Sequence, residues 1–429
     1  MKSEIESMPM KSSNKNSQDV PSGYKRTEIG VIPKDWQIKE LDQTSLIIDG
    51  DRGTNYPHAH ELYPSGYCLF LNADNVTKKG FRFKECLFIT KEKDKLLNKG
   101  KLQRYDLVLT TRGTVGNIAY YSKNIPFNNI RINSGMVILR CEKIPIATTF
   151  FYFFLKSDLF LNQIKKYAFG SAQRQLTVKG IKKLNCILPT NQEQKAIAEA
   201  LSDVDSLIES LDKIIHKKKA IKKAAMQQLL TGETRLPGFT EPWETKRLGD
   251  FAEIIMGQSP SSVNYNTSGY GMPLIQGNAD IINRKTVKRI YTTEVTKRGK
   301  HGDIIMSVRA PVGEISFATF DTCLGRGVCA IRYKNNFLYY YLISIEPKWS
   351  KWSKGSTFDS INSKEVKELP INIPPSIDEQ KAIAKVLSDM DAEIEVLEKR
   401  KEKTEQMKQG MMQQLLTGKI RLLTPEGTQ

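Results

Sequence analysis

The sequence predicts a mixed α+β protein in which two α/β domains are separated by two long antiparallel helices that form a coiled-coil spacer. The main observation is a gapless repeat, because residues 193–236 and 379–422 lie 186 positions apart and share 25 of 44 residues. The segments between the two copies have diverged. Repeated helices with diverged segments predict a pseudo-two-fold frame, circular in organisation, that carries two different domains.

Each repeated block is predicted to be one long helix that pairs through an apolar seam. Apolar residues recur at alternating steps of four and three, which is the coiled-coil spacing. Both blocks end in Thr-Gly, at Gly232 and Gly418, a common helix C-terminal stop. At ~1.5 Å per residue such a helix spans ~57 Å, which suits a spacer. The predicted seam residues are Ile197, Leu201, Val204, Ile208, Leu211, Ile215, Ile383, Leu387, Met390, Ile394 and Leu397.

The charge along the two blocks predicts that they pair antiparallel. Residues 193–212 hold one Lys and six acids, whereas residues 213–230 hold six Lys and no acid. The second block has the same polarity, with two bases and six acids in 379–398 and five bases and two acids in 399–416. Antiparallel pairing places opposite charges together. Matching of each helix to its own dipole is an alternative explanation of the same pattern.

The passage that follows each repeated block is continuous in one copy and divided between the two chain ends in the other, as in a circularly permuted repeat. After the first block the chain passes Arg235 and Trp243 and enters the second domain. The C-terminal end begins the same passage at Arg421, and the N-terminal end supplies the rest of it at Trp36. The two chain ends are therefore expected to lie close in space, in the position equivalent to residues 231–250.

The segments between the blocks share a few landmarks. Residues 106–118 and 303–315 both indicate a β-branched strand, a tight turn with Gly and a second strand. The later landmarks are a strand at 134–140 or 326–332, an aromatic helix at 150–160 or 337–345, and a strand that reaches Pro189 or Pro374. This order predicts two mixed α/β domains.

The net charge of +18 predicts a polyanionic partner. The helices carry none of the excess, because residues 193–230 hold seven Lys and six acids and residues 379–416 hold seven bases and eight acids. Residues 24–192 hold 27 bases and 14 acids, a balance of +13, and residues 231–378 hold 19 and 15, a balance of +4. Both domains are basic, the first strongly.

Composition also limits the compartment. The six cysteines are scattered without a CxxC pair, which favours a reducing, cytoplasmic location over a disulfide framework or a zinc site. The first 20 residues are polar and mixed in charge, which indicates a disordered tail rather than a signal peptide. The apolar stretches at 150–155 and 337–345 are too short to cross a membrane, so no membrane partner is expected.

Several short motifs together resemble the specificity subunit of Type I restriction–modification systems. They are the opening at 23–36, Gly-Gln-Ser-Pro at 257–260, Ser-Val-Arg-Ala-Pro-Val-Gly at 307–313, and both Glu-Gln-Lys-Ala-Ile-Ala blocks. The resemblance runs from about residue 23 to residue 422. It implies target-recognition domains at 23–190 and 233–376 and spacer helices at 191–232 and 377–418, which leaves the disordered N-terminal tail at 1–22 and a C-terminal tail at 419–429.

The resemblance implies a function in DNA recognition without chemistry in this chain. Each domain would read one half of a bipartite, asymmetric site in double-stranded DNA. Two methyltransferase subunits would dock on the helices, and restriction subunits would join through the complex. S-adenosylmethionine, ATP and Mg²⁺ are expected on those partners, with no cofactor bound by this chain.

The sequence itself contains no recognised catalytic or metal motif. It has no Gly-x-Gly-x-x-Gly after a strand, no P-loop and no His-Glu-x-x-His. The nearest match to the methyltransferase tetrad Asn/Asp-Pro-Pro-aromatic is Ile-Pro-Pro-Ser at 373–376. His58 and His60 lack a third ligand nearby, so a solvated loop is the expected role of that segment.

DNA contact is expected from loop-borne Lys and Arg, which hold phosphates, and from Arg, Gln and Asn, which read bases through paired hydrogen bonds. The candidates are Arg52, Lys78, Lys79, Arg82, Arg112, Gln173 and Arg174 in the first domain, and Gln276, Asn278, Arg284, Arg309, Lys351 and Lys354 in the second. Arg112 and Arg309 occupy the same predicted turn, which suggests a shared task such as phosphate anchoring. An ion pair to Asp106 or Asp303 is the equal alternative for these two.

Three other functions remain open at this level. The chain could be the specificity module of another multi-subunit methyltransferase, a DNA-independent coiled-coil scaffold, or a nuclease or methyltransferase with an unrecognised site. A flat salt dependence of DNA binding would favour the scaffold. Methylation by the purified chain alone would favour the enzyme.

Overall fold

The computed structural model describes residues 20–144, 146–168, 175–352 and 360–422. The chain forms two compact units, the first made of Met1–Glu209 with Glu402–Gln429 and the second of Ser210–Lys401. Most of the predicted tail at 1–22 lies outside the described residues. Each unit combines one predicted α/β domain with half of each long helix, and the two are described separately below.

The first unit is built of short strands and helices. Its strands are β1 (Tyr24–Thr27), β2 (Gly30–Pro33), β3 (Gln37–Glu40), β4 (Leu46–Asp49), β5 (Cys68–Leu71), β6 (Val76–Thr77), β7 (Gly80–Phe81), β8 (Phe88–Ile89), β9 (Leu107–Thr110), β10 (Ile118–Tyr120), β11 (Ile130–Ile132), β12 (Met136–Arg140) and β13 (Asn185–Leu188). Its helices are α1 (Leu41–Thr44), α2 (Lys91–Leu96), α3 (Thr148–Leu155), α4 (Asp158–Tyr167), α5 (Val178–Lys182) and the first half of α6 (Asn191–Leu229).

An antiparallel sheet in the order β10-β9-β12-β4 is the centre of the first unit. Alternate side chains of β9 enter two different cores, because Leu107 and Leu109 pack with the aromatic residues of α3 while Val108 packs on the opposite face. Burial on both faces explains why β9 begins with three consecutive apolar residues rather than alternating with polar ones. A second sheet, β11-β5-β8, joins β11 to β5 in parallel.

The second unit repeats this framework. Its strands are β14 (Glu244–Arg247), β15 (Glu253–Met256), β16 (Tyr265–Asn266), β17 (Met272–Ile275), β18 (Ile281–Ile282), β19 (Lys285–Thr286), β20 (Ile290–Thr292), β21 (Arg298–Gly299), β22 (Ile304–Ser307), β23 (Ile315–Phe317), β24 (Thr322–Leu324), β25 (Val328–Arg332) and β26 (Pro370–Ile373). Its helices are α7 (Leu248–Phe251), α8 (Phe337–Trp352), α9 (Ser363–Lys367) and the first half of α10 (Ile377–Leu415).

The predicted strand-turn-strand units are confirmed in both domains. β9 pairs antiparallel with β10, and β22 pairs antiparallel with β23. The sheet order β15-β25-β22-β23 in the second unit matches β4-β12-β9-β10 in the first. In the second unit β18 and β19 extend this sheet, and β16-β20-β17-β24-β21 form another. The mixed α/β class of both domains is therefore as predicted.

The two long helices pair antiparallel, as their charges predict. In the second unit Lys222 Nζ lies 2.5 Å from Asp391, and Lys401 Nζ lies 2.6 Å from Asp212. Pairs of this kind at the surface contribute only ~0.2–1 kcal/mol each, so they select the orientation more than they stabilise the fold. In the first unit Lys408 Nζ lies 2.5 Å from Asp205.

The predicted seam residues lie along the facing sides of α6 and α10. Ile208, Met390 and Leu397 are half-buried. Those that are buried are Ile197, Leu201, Val204, Leu211, Ile215, Ile383, Leu387 and Ile394. Beyond each helix a glycine takes a positive φ, +77° at Gly232 and +70° at Gly418, which ends the helix as the Thr-Gly motif predicts.

The chain ends meet in the first unit as expected. Trp36 Nε1 donates to Glu193 Oε2 at 2.9 Å, and Arg421 donates to the same carboxylate at 2.6 and 2.8 Å. Arg421 also pairs with Asp35 at 2.8 Å. We call Asp35, Trp36, Glu193 and Arg421 the first clasp.

The second unit contains the equivalent contact, and there Arg235 and Trp243 lie on one continuous passage of chain. Arg235 donates to Glu379 at 2.6 and 2.8 Å, and Trp243 Nε1 donates to it at 3.3 Å. We call Arg235, Trp243 and Glu379 the second clasp. The matching contacts confirm the circular organisation that the split repeat predicts.

Candidate nucleic-acid interface

Arg112 and Arg309 occupy equivalent turns, between β9 and β10 and between β22 and β23, and both are exposed. In the first turn Asn117 N donates to Thr110 Oγ1 at 3.0 Å, and in the second Glu314 N donates to Ser307 Oγ at 2.9 Å. These hydroxyls fix the turn backbone, so each arginine is presented from a rigid base.

The alternative of an ion pair to the preceding aspartate is wrong for both arginines. Asp106 accepts two hydrogen bonds from Arg140, both at 2.8 Å, and Asp303 accepts two from Arg332, also at 2.8 Å. The hydrogen bond to Asp106 raises the pKa of Arg140 above its ordinary value. In the described part of the chain, neither Arg112 nor Arg309 has an ion pair.

Lys78 and Lys79 form the exposed turn between β6 and β7, and Arg82 follows that hairpin. Thr77 Oγ1 closes the turn by donating to Gly80 O at 3.0 Å and accepting from Lys79 N at 3.2 Å. Arg82 Nη2 lies 3.8 Å from Asp74, a long and exposed contact. Both lysines have no acidic partner among the described residues.

The structure brings part of the first-domain set together. Lys78 and Arg82 line one groove with Gly113 and Thr114, which directly follow Arg112. Arg52 is held separately, by Asp49 at 3.1 Å and by the carbonyl oxygen of Ser134 at 3.3 Å.

One second-domain candidate, Arg284, is engaged with the protein. Arg284 donates to Glu346 Oε2 at 2.8 Å and to the Ile315 carbonyl at 3.1 Å. Gln276 is half-buried, and Asn278 is exposed at the start of a 3₁₀ turn. Among the placed candidates, the guanidinium of Arg284 is therefore the one most engaged in hydrogen bonds within the protein.

The remaining candidates cannot be placed in the same way. Gln173, Arg174 and Lys354 lie outside the described residues, and Lys351 lies in the last turn of α8 with its side chain outside them. The segments that follow these loops pair with the arginine turns, since Leu176 N donates to Thr111 O and Ile361 N donates to Val308 O, both at 2.9 Å. The contribution of these candidates stays a prediction.

Sequence reasoning missed a contact that occurs once in each unit: a Lys–Asp ion pair between the two long helices whose lysine also lies against an aromatic ring of the domain. Lys408, paired with Asp205, lies 5.2 Å from the Phe153 ring, and Lys222, paired with Asp391, lies 5.3 Å from the Tyr340 ring. The repeat contained the signal, because this Lys and Asp recur unchanged at the 186-residue offset.

The described residues contain neither a candidate membrane-spanning helix nor a candidate metal site. No helix there is long and apolar enough to span a membrane. In the same ranges, no group of three or more His, Cys, Asp or Glu side chains is arranged to hold a metal ion.

Comparison with known proteins agrees with the two-domain framework. The family model for the Type I restriction modification DNA specificity domain matches residues 33–220 and again 240–406. The chain belongs to this specificity family. A relative from Methanocaldococcus jannaschii, the putative type I restriction enzyme MjaX specificity subunit, is 33% identical over 424 residues and covers 94% of this chain and 97% of its own length.

Solved structures of the specificity family share the fold. The type I restriction–modification S subunit of M. genitalium matches with a TM-score of 0.59 at 16% identity, over 89% of this chain and 96% of its own. A chain from a study of complex assembly and conformational transition of the type I system matches with a TM-score of 0.57 at 24% identity, over 91% and 99%. At these identities the likeness concerns the fold alone.

Proposed function

We propose that this chain is the non-catalytic subunit that gives a Type I restriction–modification complex its DNA specificity, reading a bipartite, asymmetric site in double-stranded DNA. The observation that carries the proposal is the match of the specificity-domain model to both halves, at 33–220 and 240–406. One framework in two copies with different loops suits two different half-sites.

The physical advantage of one chain with two reading domains is additive binding. Each domain alone would hold DNA weakly, but after one half-site is bound the other binds at a high effective concentration. The net charge of +18 makes this binding strongly salt-dependent. Arg112 and Arg309, exposed on rigid equivalent turns, are proposed to anchor phosphates in the two half-sites.

The long helices are proposed to space the two domains and to dock two methyltransferase subunits. Their facing sides are filled by the seam, yet α6 still exposes apolar residues on another side: Ile214 is 44% and Ile221 is 45% exposed. These two lie seven residues apart, on one face of the helix. An apolar stripe of this kind suits a partner protein.

The chemistry is proposed to belong to the partners. Methyltransferase subunits would hold S-adenosylmethionine, and restriction subunits joining through the complex would use ATP and Mg²⁺, in the cytoplasm. This chain would bind none of the three. Its task would be to position the catalytic subunits on a chosen sequence.

A spacer insertion tests the bipartite reading. Asp212 faces Lys401 across the helix pair, so seven residues added after Leu211 and seven after Lys401 keep the ion pairs on both sides of the insertion. Seven residues add ~10 Å, the length of about three base pairs. Methylation mapped with the methyltransferase subunit present should show unchanged half-sites and a longer gap between them. The same seven residues placed after Leu422 are the control.

An unchanged gap would contradict the spacer role of the helices. Altered half-site sequences with an unchanged gap would contradict the proposal that the domains read the half-sites while the helices set only the distance between them. Both results can be read directly from the methylated motif.

A further inference from the structure

A groove of about 460 Å³ lies on the first domain, between the β6–β7 hairpin and the β9–β10 turn. The hairpin side contributes Thr77, Lys78, Arg82 and Asp74, and the turn side contributes Thr114 and Asn117. All of these belong to the first unit. The groove is therefore a surface of one compact body.

Hydrogen bonds hold both walls of the groove in place. Asn117 Nδ2 donates to Val76 O at 2.9 Å, which links the turn directly to the hairpin. Gly113 has a φ of +69°, and a Cβ there would meet no atom of the described residues within 4 Å, so those residues leave this side of the turn backbone uncovered. A preformed groove with an open backbone edge can accept a ligand without rearranging.

The chemistry of the walls favours phosphate over a nucleobase. Among the described residues that line the groove none is aromatic, so an extruded base would find no ring to stack on. Hydroxyl, amide and ammonium groups are the usual partners of phosphate oxygens. Asp74 is balanced by Arg82 at 3.8 Å, which leaves the charge of Lys78 in excess.

The equivalent hairpin of the second domain is chemically different. Strand register places Asn283 and Arg284 of the β18–β19 turn where Lys78 and Lys79 stand in the β6–β7 turn. Arg284 is bound to Glu346 at 2.8 Å. The β18–β19 turn thus offers one engaged cation where the β6–β7 turn offers two lysines without an acidic partner among the described residues, and Lys285 of β19 lies 3.5 Å from Glu395.

We propose that the groove between β6–β7 and β9–β10 holds a phosphodiester segment of the DNA backbone, and that it gives the first domain the larger share of the salt-dependent affinity. This inference rests on the proposed function, since it says where and how unequally the two domains hold DNA. The balance of +13 in residues 24–192 against +4 in residues 231–378 agrees with it.

The test measures binding of the full chain to a long mixed-sequence duplex over a series of KCl concentrations. Each lost phosphate contact makes the slope of log Kobs against log[salt] shallower by ~0.9, so Lys78→Ala, which removes the lysine that lines the groove, should make it shallower by ~0.9, and adding Lys79→Ala on the same turn by up to ~1.8. Two double substitutions remove the same charge elsewhere: Lys95→Ala with Lys123→Ala on the same domain, and Lys285→Ala with Lys288→Ala at the second hairpin. Both controls should change the slope by less than half as much.

A second variant probes the opposite wall without removing a lysine. Thr114→Glu places a carboxylate in the groove and should weaken binding about tenfold or more, whereas the neutral Thr114→Gln should bind nearly as the parent does. Exchange of chloride for inorganic phosphate at equal ionic strength should not displace the duplex further.

The outcomes separate the two proposals. No binding by the parent chain would count against the proposed function itself. Steep salt dependence in the parent with an unchanged slope in Lys78→Ala/Lys79→Ala, or an equal loss at the second hairpin, would overturn the groove proposal alone. Displacement of the duplex by inorganic phosphate that disappears in the Lys78→Ala/Lys79→Ala variant would identify a free-phosphate site and overturn it as well.

Discussion

Removal of the Arg421 side chain should destabilise the first unit strongly, because it leaves the Glu193 carboxylate buried without its cation. The Glu193 side chain is 1% exposed, and among the described residues it would keep only the hydrogen bond from Trp36. Breaking a buried ion pair on one side costs ~3–5 kcal/mol, which corresponds to roughly a hundredfold or more in the opening equilibrium. The exposed pair with Asp35 adds at most ~1 kcal/mol.

The second clasp provides a matched control within the same chain. Glu379 is also buried, at 0% exposure, and Arg235 is its cation. The position equivalent to Asp35 is Pro242, so Arg235→Ala removes one carboxylate contact where Arg421→Ala removes two. Arg235→Ala should therefore cost the same or up to ~1 kcal/mol less, and its effect should fall on the second unit.

Hydrogen exchange read by mass spectrometry separates the two effects, because it reports the opening of each unit by its own peptides. Arg421→Ala should accelerate exchange in first-unit peptides, and adding Glu193→Gln should recover most of the protection by removing the uncompensated charge. Exchange in Arg421→Ala within a few-fold of the parent would refute the reasoning.

The first clasp should also respond to acid. The hydrogen bond from Arg421 holds the pKa of Asp35 below its ordinary value of 3.8. A lowered pKa means that the ionised form stabilises the fold above about pH 4 and that this contribution is lost as the pH falls through the lowered pKa. The parent should lose protection in this window, and Arg421→Ala should lack that step.

Two further substitutions test contacts that the repeat places in equivalent positions. Gly418→Ala should lower the free energy of urea unfolding by ~2–5 kcal/mol, since its φ is +70° and the new Cβ would lie 2.4 Å from the Pro33 ring. Gly232→Ala, whose new Cβ has its nearest contact at 3.4 Å, should lower it by ~1–2 kcal/mol. Equal losses in the two variants would contradict the clash with Pro33. Burial raises the pKa of Tyr340, so its hydroxyl stays protonated and donates to Asp391 at 3.0 Å. Tyr340→Phe should lower the free energy of unfolding by ~1–2 kcal/mol in the same assay, and no loss would show that this hydrogen bond does not stabilise the fold.

Much of the frame could be predicted because its signals are local or duplicated. The apolar period of α6 and α10 follows from helix geometry, and their charge polarity selects the antiparallel pairing that Lys222–Asp391 shows. The passage that begins at Arg421 and continues at Trp36 is divided between the chain ends. Its intact copy at 231–250 predicted that the two parts lie side by side, which brings the chain ends together.

The engagement of individual candidate residues could not be predicted, because it depends on contacts between distant strands and helices. Arg284 and Glu346 are 62 residues apart, and nothing local to either marks the pair. Asp106 is paired by Arg140 on the neighbouring strand rather than by Arg112 on the following turn, a choice set by sheet register. Loop-borne charge predicted the candidates, but only the fold shows which of them are occupied.

The central claim, that this chain supplies sequence specificity to separate catalytic subunits, is tested most directly by mapping adenine methylation in cells that express the methyltransferase subunit with or without this chain. The account predicts methylation at one bipartite, asymmetric motif when both are present, and none with either alone. Methylation by this chain alone, or an identical methylated motif in its absence, would contradict it.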